Sequence, residues 1–467
     1  MLIRDAEVVG AGRVDVRLGD ARVFELGASL ARRHGEPVLD ARGGALLPGL
    51  HDHHIHLFAL AASLGSVDCG PPTLNDAEAL GRALARAAAE GRGWLRGVAY
   101  HECVAGPLTR ERLDAWVPKR PVRVQHRSGA LWMLNSAALE ALAVEAGDAP
   151  EGLERDADGR PTGRLFRGDT WLRARLGGEA PDLAEVGAQL AARGMTGLTD
   201  AGVGNDAAAL ATLGAAVESG ALPQRLWVMG RLELPEPPAA WSRRVARGPV
   251  KAILDEARLP PLEELVATAR AAHAAGRALA VHCATRTELF FALAALGEAG
   301  VRDGDRLEHA SVAPPEAVAA VAALGLRVVT QPHFVAERGE QYLADVAPED
   351  LPFLYRGRAW LDAGVALAAG SDAPYGAPDP WASMRAAVGR HSRGGAVLGA
   401  DEALSPEAAL GLFTTPPEDP GGAPRRVAPG APSDLCLLER PWREARGRLR
   451  AEDVAACFCA GRLAFAR

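Results

Sequence analysis

Through most of the chain, short apolar runs bounded by turn residues alternate with longer Ala- and Leu-rich stretches of helical period. The short runs read as strands buried on both faces, and apolar residues recurring every three or four positions read as helices. Strands are expected at residues 45–50, 197–200, 225–229, 250–254, 278–282, 306–309, 327–331 and 365–369. Helical stretches at 205–218, 262–275, 288–299 and 315–324 follow several of them. Eight strand-then-helix units predict an α/β fold, a (β/α)8 barrel of the TIM type. At both ends the pattern changes to short strands alone, at 14–18, 22–26, 37–40, 434–438 and 455–460. These are too short to close separate cores, so the termini are expected to complete one β-sandwich together. The expected organisation is a composite β-sandwich of residues 1–43 and 425–467 beside a barrel domain of residues 44–424.

The segment between the first two barrel strands is far longer than an ordinary loop, so residues 58–185 must form an insertion with structure of its own. Helices are expected there at 76–89 and 136–142 and a strand at 122–125. Asp158-Gly159 supplies hairpin-turn chemistry between residues 152–153 and 162–166. Insertions on the catalytic side of a barrel shape its pocket, and this one is expected to cover or shape the active site.

Composition narrows the function classes. A net charge of −7 over 467 residues, with arginines scattered rather than gathered in a stripe, argues against a nucleic-acid partner. No apolar stretch is long enough to span a membrane, and Arg4, Asp5 and Glu7 stand where a signal peptide needs an apolar core. The six cysteines lack C-x-x-C spacing, which excludes a zinc ribbon and fits a reducing cytoplasm. A soluble cytoplasmic protein acting on a small molecule is expected.

Pro48-Gly49-Leu50-His51-Asp52-His53-His54-Ile55-His56-Leu57 places four of the twelve histidines within six residues. On a strand, side chains two apart share a face, so His54 and His56 project together while His51 and His53 take the other parity. An isolated H-x-H reads as readily as a surface loop. Downstream, however, Lys251, His282, His309 and Asp372 each fall in or at the C-terminal end of an expected strand, where catalytic groups of a barrel converge. Each has an ordinary explanation alone: a satisfied polar residue, a turn or helix cap, a snorkelling lysine. Their joint placement on strands one, four, five, six and eight points to a metal site. Imidazoles and a carboxylate without thiolates suit zinc, with manganese, iron or nickel as alternatives. Asp52 and Glu308 are expected to orient ligands rather than to ligate. Candidate substrate contacts are His333, Tyr375 and Trp381, with His101, His126, Arg127 and Trp132 in the insertion. A loop histidine, or an insertion packing on its own core, would account for them equally well.

These segments, together with Asn135-Ser136-Ala137-Ala138-Leu139, Gly194-Met195-Thr196-Gly197-Leu198-Thr199-Asp200, Leu307-Glu308-His309-Ala310, Gly370-Ser371-Asp372-Ala373-Pro374 and Leu404-Ser405-Pro406-Glu407-Ala408, resemble the amidohydrolase superfamily. Within it they resemble the YtcJ-like branch that includes N-substituted formamide deformylase. The resemblance implies two divalent metals: His54, His56 and Asp372 would hold one, and His282 and His309 the other. Lys251, converted by carbon dioxide to a carbamate, would bridge them. It also implies catalytic roles for Asp372, Lys251 and His309, a metal-activated hydroxide as nucleophile, hydrolysis of an amide or cyclic amide, and a homodimer. Two departures touch substrate contacts. Arg127–Trp132 fills a region where many relatives carry a histidine, and Cys283-Ala284-Thr285 stands where they often have Gly-Asp. The competing readings are a mononuclear deaminase, which would leave Lys251 unused, and a non-catalytic scaffold, which would have a broken ligand set.

Overall fold

The candidate ligands project from a sheet of eight parallel strands: β1 (Leu50–Ile55), β2 (Met195–Asp200), β3 (Arg225–Gly230), β4 (Val245–Ile253), β5 (Leu279–Cys283), β6 (Arg306–His309), β7 (Arg327–Thr330) and β8 (Leu367–Ala369). They are hydrogen-bonded in sequence order from β1 to β8. The segment after β8 returns to β1, with Asp372 N–H donating to the His54 carbonyl at 2.7 Å and His56 N–H to the Ala373 carbonyl at 2.9 Å. The sheet is thereby wound as a TIM-type barrel. β1, β2, β6 and β8 are buried along their whole length, as expected of parallel strands covered on both faces. The intervening helices begin where the sequence supplies caps. Asp206 accepts from two first-turn N–H groups of Ala207–Ser219, and Thr285 forms a reciprocal capping box with Glu288 at the start of Arg286–Ala299.

The structure describes residues 1–144, 149–177, 181–241 and 243–467 of a computed structural model. They form two units, Met1–Leu57 with Leu183–Arg467, and Phe58–Asp182. In the first unit, strands Val23–Gly27, Gly12–Leu18, Leu2–Val8 and Val38–Asp40 form one four-stranded sheet in that order. Strands Arg462–Ala466, Val454–Cys459, Leu435–Leu438 and Leu46–Pro48 form another. Ile3, Val16, Leu18, Val23, Leu46, Leu435, Leu437 and Phe458 pack into one core between the two sheets. These sheets and the barrel fall within one unit.

The second unit contains a six-stranded sheet ordered Leu153–Arg155, Pro161–Phe166, Leu131–Leu134, Val122–His126, Leu95–Tyr100, Val67–Asp68. Asn135 organises the ends of its two central strands. Its side chain caps Ser136–Ala141, accepts from Val122 N–H and donates to the Val117 and Arg120 carbonyls.

Two expected strands shift. The run at 45–50 is divided at Gly49: Leu46–Pro48 pairs with Leu435–Leu438, and the barrel strand starts at Leu50. Only glycine fits at this division, because a Cβ on residue 49 would lie 2.3 Å from the Thr196 side chain. As a consequence His51, His53 and His54 lie on β1 itself and His56 just beyond it. β4 begins at Val245 rather than 250, continuing through the Gly248-Pro249 pair that interrupts the apolar run. Among the described residues, no helix is long and apolar enough to cross a membrane.

The N-terminal sheet buries an ion pair, Arg17 with Glu36, at 2.8 Å and side-chain exposures of 6% and 7%. The hydrogen bond from Arg17, aided by Arg33 N–H, lowers the Glu36 carboxyl to about 2. A carboxyl depressed on folding stabilises the native state above its unfolded value and loses that contribution as pH falls through the folded value. Glu36→Gln should therefore unfold more readily than the parent at pH 7. In parallel urea titrations, the deficit should shrink between pH 4.5 and about 2.

Candidate metal centre

Strand parity divides the histidine cluster into two groups with different work. His51 and His53 hydrogen-bond Thr199 Oγ1 and Thr415 Oγ1 at 2.8 and 3.0 Å, tying β1 to β2 and to the segment after helix Pro406–Thr414. Asp52 and His54 serve the other face. Asp52 Oδ1 accepts from the N–H groups of His54 and Ser371 at 3.1 and 2.9 Å. His54 donates its Nδ1–H to Glu308 at 2.5 Å, which leaves Nε2 facing Asp372 Oδ1 at 3.5 Å. His56 Nε2 approaches the same oxygen at 3.1 Å. An imidazole held through one nitrogen by a carboxylate, with the other directed into a cluster, has the arrangement of a metal ligand.

β5 and β6 bring the next two imidazoles. His282 and His309 have ring centroids 4.4 Å apart, and His309 lies 4.9 Å from His54. Ligand atoms of His54, His309 and Asp372 all lie within 4.8 Å of one another. Lys251 projects from β4. It is 5% exposed, and its Nζ has no hydrogen-bond partner among the described residues. A buried amine without a partner is costly in either protonation state, so this atom marks a place where a further group belongs.

The electrostatics suit cation binding. Burial lowers His54 and His282, and lowers His309 to about 3, so the imidazoles stand neutral with lone pairs available. Burial also lowers Lys251 and raises Asp52 to about 6. Asp372 stays below its ordinary range, because the His56 hydrogen bond and the surrounding imidazoles outweigh burial. Burial likewise opposes ionisation of Glu308, but Arg306 and Lys251 overcome it. Cys283, buried beside Lys251, has its thiol pushed well up by burial and offers no thiolate. The donors at the centre are nitrogen and oxygen.

The candidate substrate contacts separate clearly. Tyr375 lies beside the centre, its ring 5.5 Å from that of His56. His333 does not present a free nitrogen: Nε2–H donates to the Ser371 carbonyl at 3.0 Å, and Nδ1 pairs with Ser383 Oγ at 3.2 Å. It fixes the backbone next to Asp372 rather than reaching for substrate. Trp381 is 1% exposed and gives its indole N–H to the Arg193 carbonyl, ahead of the N-terminal end of β2. Its polar tip is therefore used at the end of that strand opposite Asp200. His101, His126, Arg127 and Trp132 belong to the Phe58–Asp182 unit. There Trp132 is 4% exposed, bonds Asp169 at 3.0 Å and lies under the guanidinium groups of Arg96 and Arg123. His101, Glu102 and His126 form a cluster of their own, with His126 Nε2 3.0 Å from Glu102.

Arg306 carries a role that strand pattern did not disclose. Its Nε donates to Glu308 at 2.6 Å and its Nη2 to the His53 carbonyl at 3.0 Å. The only signal in the sequence is an Arg-x-Glu pair on one face of a strand. Glu308→Gln would leave this guanidinium buried and uncompensated, at a cost of about 3–5 kcal/mol by analogy with broken buried pairs. It would also weaken metal affinity roughly 10–100-fold by freeing His54. Denaturant unfolding of the metal-free protein and metal titration read the two effects separately.

An amidohydrolase family model matches residues 37–463. N-substituted formamide deformylase of Arthrobacter pascens is 28% identical over 503 residues, covering 92% of this chain and 90% of that protein. Putative amidohydrolase YtcJ of Bacillus subtilis (strain 168) is 24% identical over 458 residues, covering 82% of each. An uncharacterised metal-dependent hydrolase from Pyrococcus horikoshii OT3 shares the fold, with TM-score 0.75 and 21% identity over 96% of this chain and 99% of that one. The family match spans every strand that contributes to the centre, and the chain belongs to the amidohydrolase family, as a metal-dependent hydrolase acting on carbon–nitrogen bonds other than peptide bonds.

Proposed function

We propose that this enzyme hydrolyses the C–N bond of an amide or cyclic amide in a small molecule, using two divalent metals held by His54, His56, Asp372, His282 and His309, with Lys251 carboxylated between them. The convergence of His54, His309 and Asp372 on one end of the barrel carries the reading. The partnerless Nζ of Lys251 supports the carbamate. An ammonium cannot ligate a cation, whereas the carbamate formed from a neutral amine and carbon dioxide is a two-oxygen anion. The lowered proton affinity of Lys251 favours the neutral amine that this reaction needs. The neutral imidazoles and the absence of a thiolate from the donor set suit zinc, with manganese, iron or nickel as alternatives.

When bound, the metals would supply Lewis acidity toward the substrate carbonyl and a water acidic enough to react near neutral pH. The chain's own residues then divide the proton work. Asp372 is ionised and aimed at the cluster, so one of its oxygens takes the proton of the attacking water. The same carboxyl returns that proton to the leaving nitrogen as the C–N bond breaks. Glu308 and Asp52 fix His54, through its ring and its backbone N–H respectively. His333 holds the Ser371 carbonyl and with it the position of Asp372.

Asp372→Asn should lower kcat by at least about 10³-fold with an unchanged unfolding midpoint, since it removes both the proton acceptor and an anionic ligand. Undiminished turnover on any substrate accepted by the parent would overturn this assignment. The carbamate makes a separate prediction. Protein prepared in carbon-dioxide-free buffer and loaded with zinc should gain activity and a second metal equivalent as bicarbonate is added, and Lys251→Ala should not respond. A hydrolysis screen across N-acyl amino acids, N-formyl amines, lactams, cyclic imides and aminated heterocycles identifies the bond. Ammonia released from an aminated heterocycle, with one metal per chain in native mass spectra, would select the mononuclear deaminase instead.

A further inference from the structure

His54 and His56 direct nitrogens at the same Asp372 oxygen, yet they are held by different means. The His54 ring is gripped through its other nitrogen by Glu308. For the His56 ring, the polar contact among the described residues is Asp372 itself. His56 also lies one residue past the end of β1, with its side chain 22% exposed, so neither the strand ladder nor tight packing accounts for its direction. The backbone on either side of it does.

A side chain leaves its Cα in a direction set by the two planar peptides that flank it. Both peptides around His56 are pinned. In the first, the Ile55 carbonyl accepts from Ala201 N–H at 2.8 Å, and His56 N–H donates to the Ala373 carbonyl at 2.9 Å. In the second, Leu57 N–H donates at 2.8 Å to Oδ2 of Asp200, the last residue of β2. Of these anchors, only Asp200 acts through a side chain. It is 2% exposed and is itself held: Oδ1 accepts from Asn205 Nδ2 at 2.6 Å and from Gly202 N–H at 3.1 Å. The Asn205 amide also donates to the Met229 carbonyl of β3 at 2.9 Å. Two glycines keep the room that Asn205 needs, because a Cβ on Gly202 would lie 2.8 Å from its side-chain amide and one on Gly230 2.5 Å from its carbonyl oxygen.

We propose that Asp200 is a positioning residue for His56: by holding the Leu57 N–H it fixes the second flanking peptide and keeps the His56 imidazole directed at Asp372, with Asn205 as its tether to β3. The proposal rests on the reading of His56 as a metal ligand and adds to it the group that aims this ligand. Two neighbouring ligands are then oriented by two carboxylates, His54 through its ring by Glu308 and His56 through its backbone by Asp200. Asp200→Asn tests the second arrangement with little change of shape. Two donors meet Oδ1 and one meets Oδ2, so the oxygen that remains stays with Asn205 and Gly202, and the new NH2 group is set against the Leu57 N–H.

Metal-free parent, D200N, H56A and D200N/H56A proteins would be titrated with zinc in competition with a fluorescent chelator. D200N should weaken the binding of one zinc equivalent by about 10- to 100-fold, and H56A by at least as much. The double variant should bind no more weakly than H56A, because a residue that acts through His56 then has nothing left to position. Hydrogen exchange at the Leu57 amide should quicken in D200N. Losses that add in the double variant would make Asp200 a general support of the barrel, and this overturns the proposal, as does an unaltered zinc affinity or an unaltered Leu57 exchange rate in D200N. If D200N does not fold, Asn205→Ala, which releases Asp200 from β3, passes through the same cycle with the same expectations and the same grounds for rejection. An H56A protein that binds zinc as tightly as the parent is a different failure: it strikes His56 from the ligand set and overturns the ligand reading together with the proposal built on it.

Discussion

Inside the barrel, Arg306 and Glu308 place two full charges at side-chain exposures of 2% and 0%. Removing such ions from water costs several kcal/mol each, so the pair is tolerable only if both groups are fully partnered. Their direct contact supplies one bond. Glu308 completes its set on the His54 ring and Arg306 on the His53 carbonyl, both on β1. The electrostatic requirement of β6 is thus met by β1, a strand three positions away round the closed barrel, across its interior. That connection fixes the plane of the His54 imidazole and directs its Nε2 toward Asp372, so this candidate ligand is oriented by the network beneath it.

The same logic explains why one short segment holds four histidines. β1 lies against β2 on one side and is joined through its backbone to the segment after β8 on the other. His51 and His53 bind threonine hydroxyls of neighbouring elements, while Asp52 joins the His54 and Ser371 backbones. The polar residues of this strand are therefore its connections to the rest of the barrel. Only His54 and His56 direct ring nitrogens at Asp372.

Much of this was legible in the sequence because the signals are local and periodic. Alternating strands and helices, the parity that separates His54 from His51 and His53, and polar residues placed at strand ends all lie within windows of a few residues. What escaped was decided by distant partners. The apolar run at 45–50 gives no hint of division at Gly49, because the strand that captures residues 46–48 is Leu435–Leu438 and the side chain that forbids a Cβ belongs to Thr196. His333 looked available because the groups that occupy it, Ser371 and Ser383, lie 38 and 50 residues away. Trp381 looked like a pocket wall for the same reason, its partner being Arg193. Arg306 passed as an ordinary polar residue at a strand position, and only its bonds to Glu308 and across to β1 show how its charge is partnered.

Three residues at the centre show how the candidate ligands are kept in place by the backbone. His309, Ala310 and Asp372 adopt left-handed backbone conformations with φ of 69°, 45° and 52°. None is glycine, and such conformations cost of order 1–3 kcal/mol per residue. They persist because hydrogen bonds over-determine them. Ala310 N–H donates to the Glu308 carbonyl at 2.9 Å, Asp372 N–H to the His54 carbonyl at 2.7 Å, and Tyr375 N–H to the Asp372 carbonyl at 2.8 Å. His333 packs so closely beneath the following turn that a Cβ on Gly376 would lie 2.3 Å from its Nε2. The turn ends β8 abruptly and sends the Asp372 carboxylate to the imidazoles of β1 rather than onward along the strand. Relaxing it would recover backbone energy only by breaking bonds to β1, the strand that the Arg306–Glu308 pair already holds. The position of the Asp372 carboxylate is therefore set by the same buried charges that orient its histidine neighbour.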